Sequence, residues 1–337
     1  METINVLVTM PFAEPLIEKL ASVSPRLNII QHKAESADDL PPTIKETDVL
    51  YTLQALPHPE AAPRLRWVQL HHAGVDRLLE HPLYAKDDVL FTTASGIHTV
   101  AMAEYVLALI LAFAHHLPKM FADKASATWP KGRWARYVPR ELRGATLGIV
   151  GYGSIGREVA RLARAFGMRV LAVKRDLRNL EDEGYCLPGT GDPHAEIPER
   201  IYPVEALHSF LGECDYVVLA LPLTAATRHL IDAAALAAMK PTAILINVAR
   251  GSLVDEKALI AALEKGTIAG AGLDVYEVEP LPEDSPLWKL PNVILSPHVS
   301  GFTPYYDERA TDLFAENLRR FLAGEPLLNV VDRSRGY

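Results

Sequence analysis

A chain of 337 residues, 49% hydrophobic and 23% charged, is long enough for two cores and has the composition of an ordinary soluble globular protein. Its formal net charge of −8 argues against nucleic acid as a main partner, because binding a phosphate backbone relies on clustered Lys and Arg. The two cysteines, Cys186 and Cys214, form no motif and suggest no disulfide framework, so the cytoplasm is the expected compartment and no metal site is expected.

In chain order, Met1 to Met10 reads as a first strand through Ile4, Val6, Leu7 and Val8, with no basic region or cleavage site. Strand-like runs follow at Leu27 to Gln31, Asp48 to Tyr51, Trp67 to Leu70 and Val89 to Thr92, alternating with helical or turn-rich pieces. Such alternation predicts a parallel α/β sheet. The most apolar helix, Val100 to His115, is interrupted by Glu104 and falls short of the roughly 20 apolar residues that span a bilayer, so it reads as a buried or interface helix. A stretch with Trp129, Pro130, Lys131, Gly132 and Trp134 has no clear periodicity.

Just short of mid-chain, the apolar run Thr146 to Val150 enters Gly151, Tyr152, Gly153, Ser154, Ile155 and Gly156, and a helical pattern follows. This is a GxGxxG turn between strand and helix. Its glycines permit a tight turn, close approach of backbone amides to a pyrophosphate, and packing of the helix on the strand. The helix N-terminus offers N–H groups and a positive dipole to the phosphates. A second strand, Arg169 to Val173, supports a dinucleotide site.

That second strand normally ends in an acidic residue for the adenosine ribose. Here Lys174 and Arg175 come first and Asp176 only after them. Two cations favour a 2′-phosphate, which they would neutralise and hydrogen-bond, so NADP(H) is the expected cofactor and NAD(H) a possible one. The bland alternative makes them solvated charges, with Asp176 on the ribose.

Residues 178 to 202, with Gly184, Pro188, Gly189, Gly191, Pro193 and Pro198, read as a turn-rich insertion that is either functional or mobile. Further strands are expected at Tyr216 to Ala220, Ala243 to Asn247, Ala269 to Asp274 and Asn292 to Leu295. A helix from Pro304 to Leu322 and a short tail, Leu328 to Val331, must dock on a domain already formed. Two strand series imply two lobes, 1–99 plus 299–337 and 100–298. No solenoid repeat or low-complexity tract interrupts them.

Three strand ends of the second series carry candidate chemistry: Val248 to Gly251, Asp274 to Glu279, and Ser296 to His298. Ligands of open α/β sheets sit beyond the carboxyl ends of the strands, where these segments could converge. Reduction of a 2-oxo acid needs a planar cation for the carboxylate and ketone, a proton donor for the oxygen, and a carboxylate to orient that donor and raise its pKa. Arg250, His298 and Glu279 fit those roles in turn. Singly, each also fits a surface ion pair, a structural histidine or a solvated loop acid.

Gly151 to Gly156, Leu221 Pro222 Leu223 Thr224 with Thr227, Asn247 to Asp255, Gly272 to Pro280 and Ser296 to Gly301 resemble, in sequence and order, the D-isomer-specific 2-hydroxyacid dehydrogenase family. The match covers most of the chain and is weakest in the first hundred residues. The resemblance implies two Rossmann-like lobes with parallel sheets, the cofactor lobe inserted within a flavodoxin-like substrate lobe, and a homodimer. It assigns catalysis to Arg250, Glu279 and His298, with Glu279 rather than Glu277 as the acid, and faces Asp274 towards the nicotinamide carboxamide. It also lays Leu221 and Pro222 along the adenosine, Thr227 near the phosphates, and Val248 and Ala249 near the nicotinamide.

In the substrate lobe, His72, Ala73, Gly74, Val75 and Asp76 match the family's carboxylate-holding loop, with the amides of Ala73 and Gly74 as the relevant pair. His71 and His72 depart from the commoner pattern and are read as two exposed histidines at a strand end. The resemblance gives Trp134 a reach towards a partner subunit's active site, with core or arm packing as the other reading. Specificity is expected to rest on loops around Leu53, His71, His98 and Trp134.

The leading expectation is an NADPH-preferring reductase of small 2-oxo acids such as glyoxylate or hydroxypyruvate. A phosphoglycerate dehydrogenase is the enzyme alternative, though that relative often carries a C-terminal regulatory domain and no arginine cluster marks a phosphate site in the substrate lobe. A formate dehydrogenase is disfavoured because it places an amide where Glu279 stands. A dinucleotide-sensing binding protein is the non-enzymatic alternative.

Overall fold

The structure, a computed structural model, describes residues 3–75, 78 and 80–337; Asp76 of the expected carboxylate loop lies outside the described residues. The chain divides into two compact units, one of Met1–Ile97, Glu183–Leu187 and Thr303–Tyr337, the other of His98–Asp182 and Pro188–Phe302.

In the first unit, β1 (Ile4–Val8), β2 (Leu27–Gln31), β3 (Val49–Thr52), β4 (Trp67–Leu70) and β5 (Leu90–Thr92) form a parallel sheet in the order β2-β1-β3-β4-β5. This is the flavodoxin-like order. Alternate residues of the strands supply two cores, Leu7, Leu50, Val68 and Phe91 on one face and Val6, Val49, Tyr51 and Trp67 on the other. Burial on both faces explains why the inner strands β1, β3 and β4 read as largely apolar runs. The helix Tyr306–Ala323 sets Phe314 and Leu318 into the second core. The tail docks as expected: Val331 donates its N–H to Phe91 O at 2.9 Å and packs in the first core.

In the second unit, β6 (Thr146–Val150), β7 (Arg169–Val173), β8 (Arg200–Tyr202), β9 (Tyr216–Leu219), β10 (Ile244–Asn247), β11 (Gly270–Leu273) and β12 (Val293–Leu295) form a parallel sheet ordered β12-β11-β10-β9-β6-β7-β8. The strand order reverses between β6 and β9, the switch point of a Rossmann sheet. The helices Thr99–Ala114 and Ser154–Ala165 share one core beside this sheet, so the apolar helix is a buried one. Among the described residues no single helix is long and apolar enough to cross a membrane.

Strand β8 is absent from the expected elements because it lies in the turn-rich 178–202 segment and is specified by its partner, Leu171 to Arg200 and Val173 to Tyr202, rather than by a local pattern. The segment itself is pinned to the helix after the glycine turn. The buried Arg157 guanidinium donates to the carbonyls of Asp192 and Leu180, Tyr152 Oη donates to Asp192 Oδ2 at 2.6 Å, and Gly191 N–H donates to Glu158 Oε2 at 2.7 Å. Residues Glu183–Leu187 belong to the first unit, where Tyr185 packs against Ala94, Ile97, Ala310 and Leu313. The aperiodic stretch after the apolar helix forms two short helices, Leu117–Ala125 and Arg133–Arg136, joined by Asp123, which accepts from Arg136 Nη2 at 2.9 Å.

Candidate active site

The glycine turn sits at the switch point. Gly151 has φ +98°, and a Cβ there would lie 2.4 Å from the carbonyl oxygen of Ala220 at the end of β9. Only glycine fits both constraints. A Cβ on Gly156 would lie 2.4 Å from Gly151 O, so turn and helix are in backbone contact. Gly153 differs: a Cβ there meets no protein atom within 4 Å, and the helix beginning at Ser154 has no side-chain cap. A small residue is therefore not demanded at Gly153 by the chain's own packing, and the open face with N-terminal amides suits a pyrophosphate. The residues present fit a dinucleotide.

Across the switch point, Leu221 and Pro222 follow β9. Thr227 Oγ1 donates to Pro222 O and accepts from Thr224 N–H, each at 2.8 Å, so that hydroxyl builds the 222–227 turn. At the end of β7, Lys174 is half-buried and Arg175 exposed. Burial, and then the charge of Arg157, lower the Lys174 pKa from its ordinary value. Asp176 accepts the Arg178 N–H at 2.9 Å, turning its carboxylate into its own loop.

The three candidate catalytic groups follow three neighbouring strands, Arg250 after β10, Glu279 after β11 and His298 after β12. Asn247 shapes the first segment: its Nδ2 donates to Arg250 O at 2.9 Å and its Oδ1 accepts the Ala249 N–H at 3.1 Å. Val248 is buried in the core and Ala249 lies half-buried beside it. The arginine turn then presses on the next segment, since a Cβ on Gly251 would lie 1.8 Å from the carbonyl carbon of Tyr276.

His298 Nδ1 lies 2.8 Å from Glu279 Oε2, and Glu279 Oε1 accepts the Tyr276 N–H at 3.1 Å. His298 adopts φ +54°, unusual for a non-glycine residue. Buried Asp274 holds that loop in shape. Its carboxylate accepts Ser296 Oγ–H at 2.6 Å and the N–H groups of Val299 and Ser300 at 2.9 Å. The Asp274 backbone carbonyl also accepts the His298 N–H at 2.9 Å. Burial raises the Tyr276 phenol to about 12, which keeps its hydroxyl a donor to Ser296 O at 2.8 Å.

Ala73 and Gly74 stand in the first unit, just beyond the carboxyl end of β4, with Ala73 exposed. The expectation of two exposed histidines before them is corrected for His71, which is only 6% exposed. Tyr51 Oη lies 2.7 Å from His71 Nδ1, Tyr306 Oη donates to His71 O at 2.9 Å, and the Tyr306 ring packs on the imidazole at 4.8 Å between centroids. Residues distant in sequence close over it, and nothing local announces them. Among the described residues no group of three or more His, Cys, Asp or Glu could hold a metal ion.

A Rossmann sheet with a glycine turn at its switch point, in a chain that also carries a flavodoxin-like unit, is an architecture of nicotinamide-dinucleotide-dependent oxidoreductases. Residues 107–300 match the family model for the NAD-binding domain of the D-isomer specific 2-hydroxyacid dehydrogenases. The chain is 37% identical to glyoxylate reductase of Korarchaeum cryptofilum over 88% of each chain. It superimposes over 100% of both chains, with TM-score 0.82 and 32% identity, on a D-isomer specific 2-hydroxyacid dehydrogenase of Xanthobacter autotrophicus solved with NADPH and MES. An NADPH-dependent glyoxylate/hydroxypyruvate reductase of Sinorhizobium meliloti, solved with NADP and sulfate, is 28% identical at TM-score 0.78, covering 99% of this chain and 100% of that one. The chain belongs to the D-isomer specific 2-hydroxyacid dehydrogenase family. It is an enzyme that moves a hydride between a nicotinamide dinucleotide and a small 2-oxo or 2-hydroxy acid.

Proposed function

We propose that this enzyme is an NADPH-preferring reductase of glyoxylate, hydroxypyruvate and similarly small 2-oxo acids, with the first unit as substrate lobe and the second as cofactor lobe. The observation that carries the reading is the imidazole–carboxylate pair, His298 Nδ1 to Glu279 Oε2 at 2.8 Å, following the two strands next in order to the one that Arg250 follows. The reductases to which the chain is similar support the substrate class.

When bound, NADPH supplies the hydride that C2 of the 2-oxo acid accepts. The turn from Gly151 to Gly156, with Ser154 and Ile155 at the helix start, would hold its pyrophosphate. Lys174 and Arg175 would hold its 2′-phosphate. Leu221, Pro222, Thr227, Val248, Ala249 and Asp274 would line its length. Arg250 pairs with the substrate carboxylate and polarises the ketone. In the first unit, the amides of Ala73 and Gly74 are the pair that the family resemblance gives to carboxylate binding. With Nδ1 committed to Glu279, His298 donates its proton from Nε2 to the oxygen that becomes the hydroxyl.

The second unit carries an apolar arm in which Trp129 and Trp134 are 81% and 80% exposed, with Phe121 and Val138 also in solvent. Such a patch supports a homodimer formed through this arm. Analytical ultracentrifugation of the enzyme beside a Trp129→Ser, Phe121→Ser variant tests it; a monomeric parent sinks it.

Initial rates with NADPH and NADH across glyoxylate, hydroxypyruvate, pyruvate and bulkier 2-oxo acids test the whole reading. The expected result is the highest kcat/KM with NADPH and a two- or three-carbon acid. Preference for NADH refutes the reading of Lys174 and Arg175, and inactivity towards every acid refutes the assignment.

A further inference from the structure

Beside the proposed catalytic pair stands a second imidazole–carboxylate pair that the mechanism above does not use. His229 Nε2 lies 2.5 Å from Glu277 Oε1, and Glu277 is two residues before Glu279. Each partner is also tied by its backbone to the arginine turn. The His229 N–H donates to Ser252 O at 2.8 Å. The Tyr276–Glu277 peptide is the surface on which Gly251 rests, with Glu277 N only 2.4 Å from a Cβ placed there. Ser252 and Gly251 immediately follow Arg250. The turn is thus held on one flank by the His229 backbone and on the other by the Glu277 backbone, and the His229–Glu277 side-chain contact closes the loop of contacts around it.

His229 adopts φ +51°. Left-handed backbone is costly for a ring-bearing residue and easier for glycine or asparagine, and such strain marks places where a side chain does a specific job. At the other end of the clamp, the Glu277 N–H donates to Glu256 Oε2 at 3.2 Å, fixing the Glu277 backbone to the helix Glu256–Lys265. One flank of the clamp is therefore anchored to a helix, and the other runs on into the parallel bridge between Ile231 and Val254.

We propose that His229 is a positioning residue for Arg250: by clasping Glu277 it locks the arginine turn against the strip that carries Glu279, setting guanidinium and His298 in register for one substrate. The inference rests on the reading of Arg250 and His298 as the groups that meet the substrate. A small displacement of a group that orients a reactant is enough to lower the rate steeply.

The test is His229→Asn beside His229→Gln. Asparagine suits the left-handed backbone but is too short to reach Glu277, whereas glutamine places a donor near the position of Nε2. The expected result for His229→Asn is a KM for glyoxylate raised by about tenfold or more, the scale of one hydrogen bond to a charged group. NADPH affinity by fluorescence titration and the thermal midpoint should stay near the parent's, and His229→Gln should recover most of the KM. Glu277→Leu, which leaves the strained residue untouched, must show the same split. A wild-type KM in His229→Asn overturns the proposal, as does a loss that glutamine does not rescue or that merely follows the thermal midpoint. Arg250→Lys, measured in parallel, separates the two levels of inference: if it keeps full activity the Arg250 reading fails, and if it is crippled while His229→Asn is normal, only the clamp fails.

Discussion

Glu279 uses both carboxylate oxygens, one facing His298 Nδ1 at 2.8 Å and the other accepting the Tyr276 N–H at 3.1 Å. The acid is therefore held from two sides, and it fixes which ring nitrogen of His298 faces away. Replacing His298 with alanine should lower kcat by about two to four powers of ten, the range for loss of a general acid, with NADPH affinity nearly intact. Stopped-flow turnover and a fluorescence titration of cofactor check both halves. Unchanged turnover removes His298 from the mechanism.

Glu279→Gln is a sharper probe. An amide has one acceptor and one donor end, so with two donors facing it, His298 Nδ1–H and Tyr276 N–H, one is left opposing an NH2 group. The variant should fold and bind NADPH but lose about tenfold to a hundredfold in kcat, the scale of one hydrogen bond to a charged group. A variant with parental kcat would show that the second oxygen is dispensable.

The glycines of the turn should separate by function. Gly151→Ala and Gly156→Ala each drive a Cβ to within 2.4 Å of backbone oxygen, and Gly151 adds φ +98°. Both should cost stability, by about 1–3 kcal/mol or more where overpacking and backbone strain combine. Gly153→Ala meets no protein atom within 4 Å and should leave the thermal midpoint of the apoenzyme unchanged while weakening NADPH by at least tenfold. Differential scanning fluorimetry with and without NADPH distinguishes the cases. If Gly153→Ala binds NADPH normally, the open face at Gly153 does not take the pyrophosphate.

For the choice of dinucleotide, Lys174→Ala and Arg175→Ala should each raise the Kd for NADPH by about tenfold or more, one charge-assisted contact apiece, and leave NADH unaffected. The lowered pKa of Lys174, caused first by burial and then by Arg157, adds a pH dependence. Its ammonium loses its proton at lower pH than an ordinary lysine, so NADPH affinity should fall earlier on the alkaline side than NADH affinity does. Isothermal titration with both cofactors across alkaline pH measures this. Parallel curves for the two cofactors would contradict it.

What the sequence disclosed and what it concealed follow from the range of the interactions. Strands β4, β6 and β7 were legible to the residue because parallel strands buried on both faces are largely apolar runs; the half-buried edge strand β2 was legible from its Leu27, Ile29 and Ile30. The placement of Arg250, Glu279 and His298 after neighbouring strands was legible because each follows a strand-like run. Strand β8 was not, being three residues that exist only by pairing with β7. The burial of His71 under Tyr51 and Tyr306, the grip of Arg157 on Asp192, and the His229–Glu277 clasp join residues 20, 235, 35 and 48 positions apart. No local periodicity encodes such pairs. Asp274 shows the limit within a motif: its position was read correctly as a strand end, but its binding of the 296–300 loop appears only when β11 and β12 lie side by side.

Asp215 offers a test of how the second unit is held together. Its Oδ2 accepts the Thr146 N–H at the start of β6 at 2.8 Å, and its Oδ1 meets Arg140 Nη2 at 2.6 Å and Lys240 Nζ at 2.9 Å. Burial pushes its carboxyl up, but the Thr146 amide, Lys240 and Arg140 together outweigh burial and hold it below the ordinary aspartate value of 3.8. A carboxylate with a depressed folded pKa stabilises the protein fully above the unfolded pKa. As pH falls below that value the unfolded chain takes up the proton first, so the contribution is lost as pH drops through the folded pKa. Asp215→Asn keeps an acceptor but not the charge, and should cost about 2 kcal/mol near neutrality, reduced from the buried-pair scale because Arg140 and Lys240 are partly solvated. Thermal midpoints of parent and variant from pH 7 downwards should therefore converge as pH falls below 3.8. A gap that stays constant through that window would mean that Asp215 acts through shape alone, and that the charges on Arg140 and Lys240 add nothing to the join between β6 and β9.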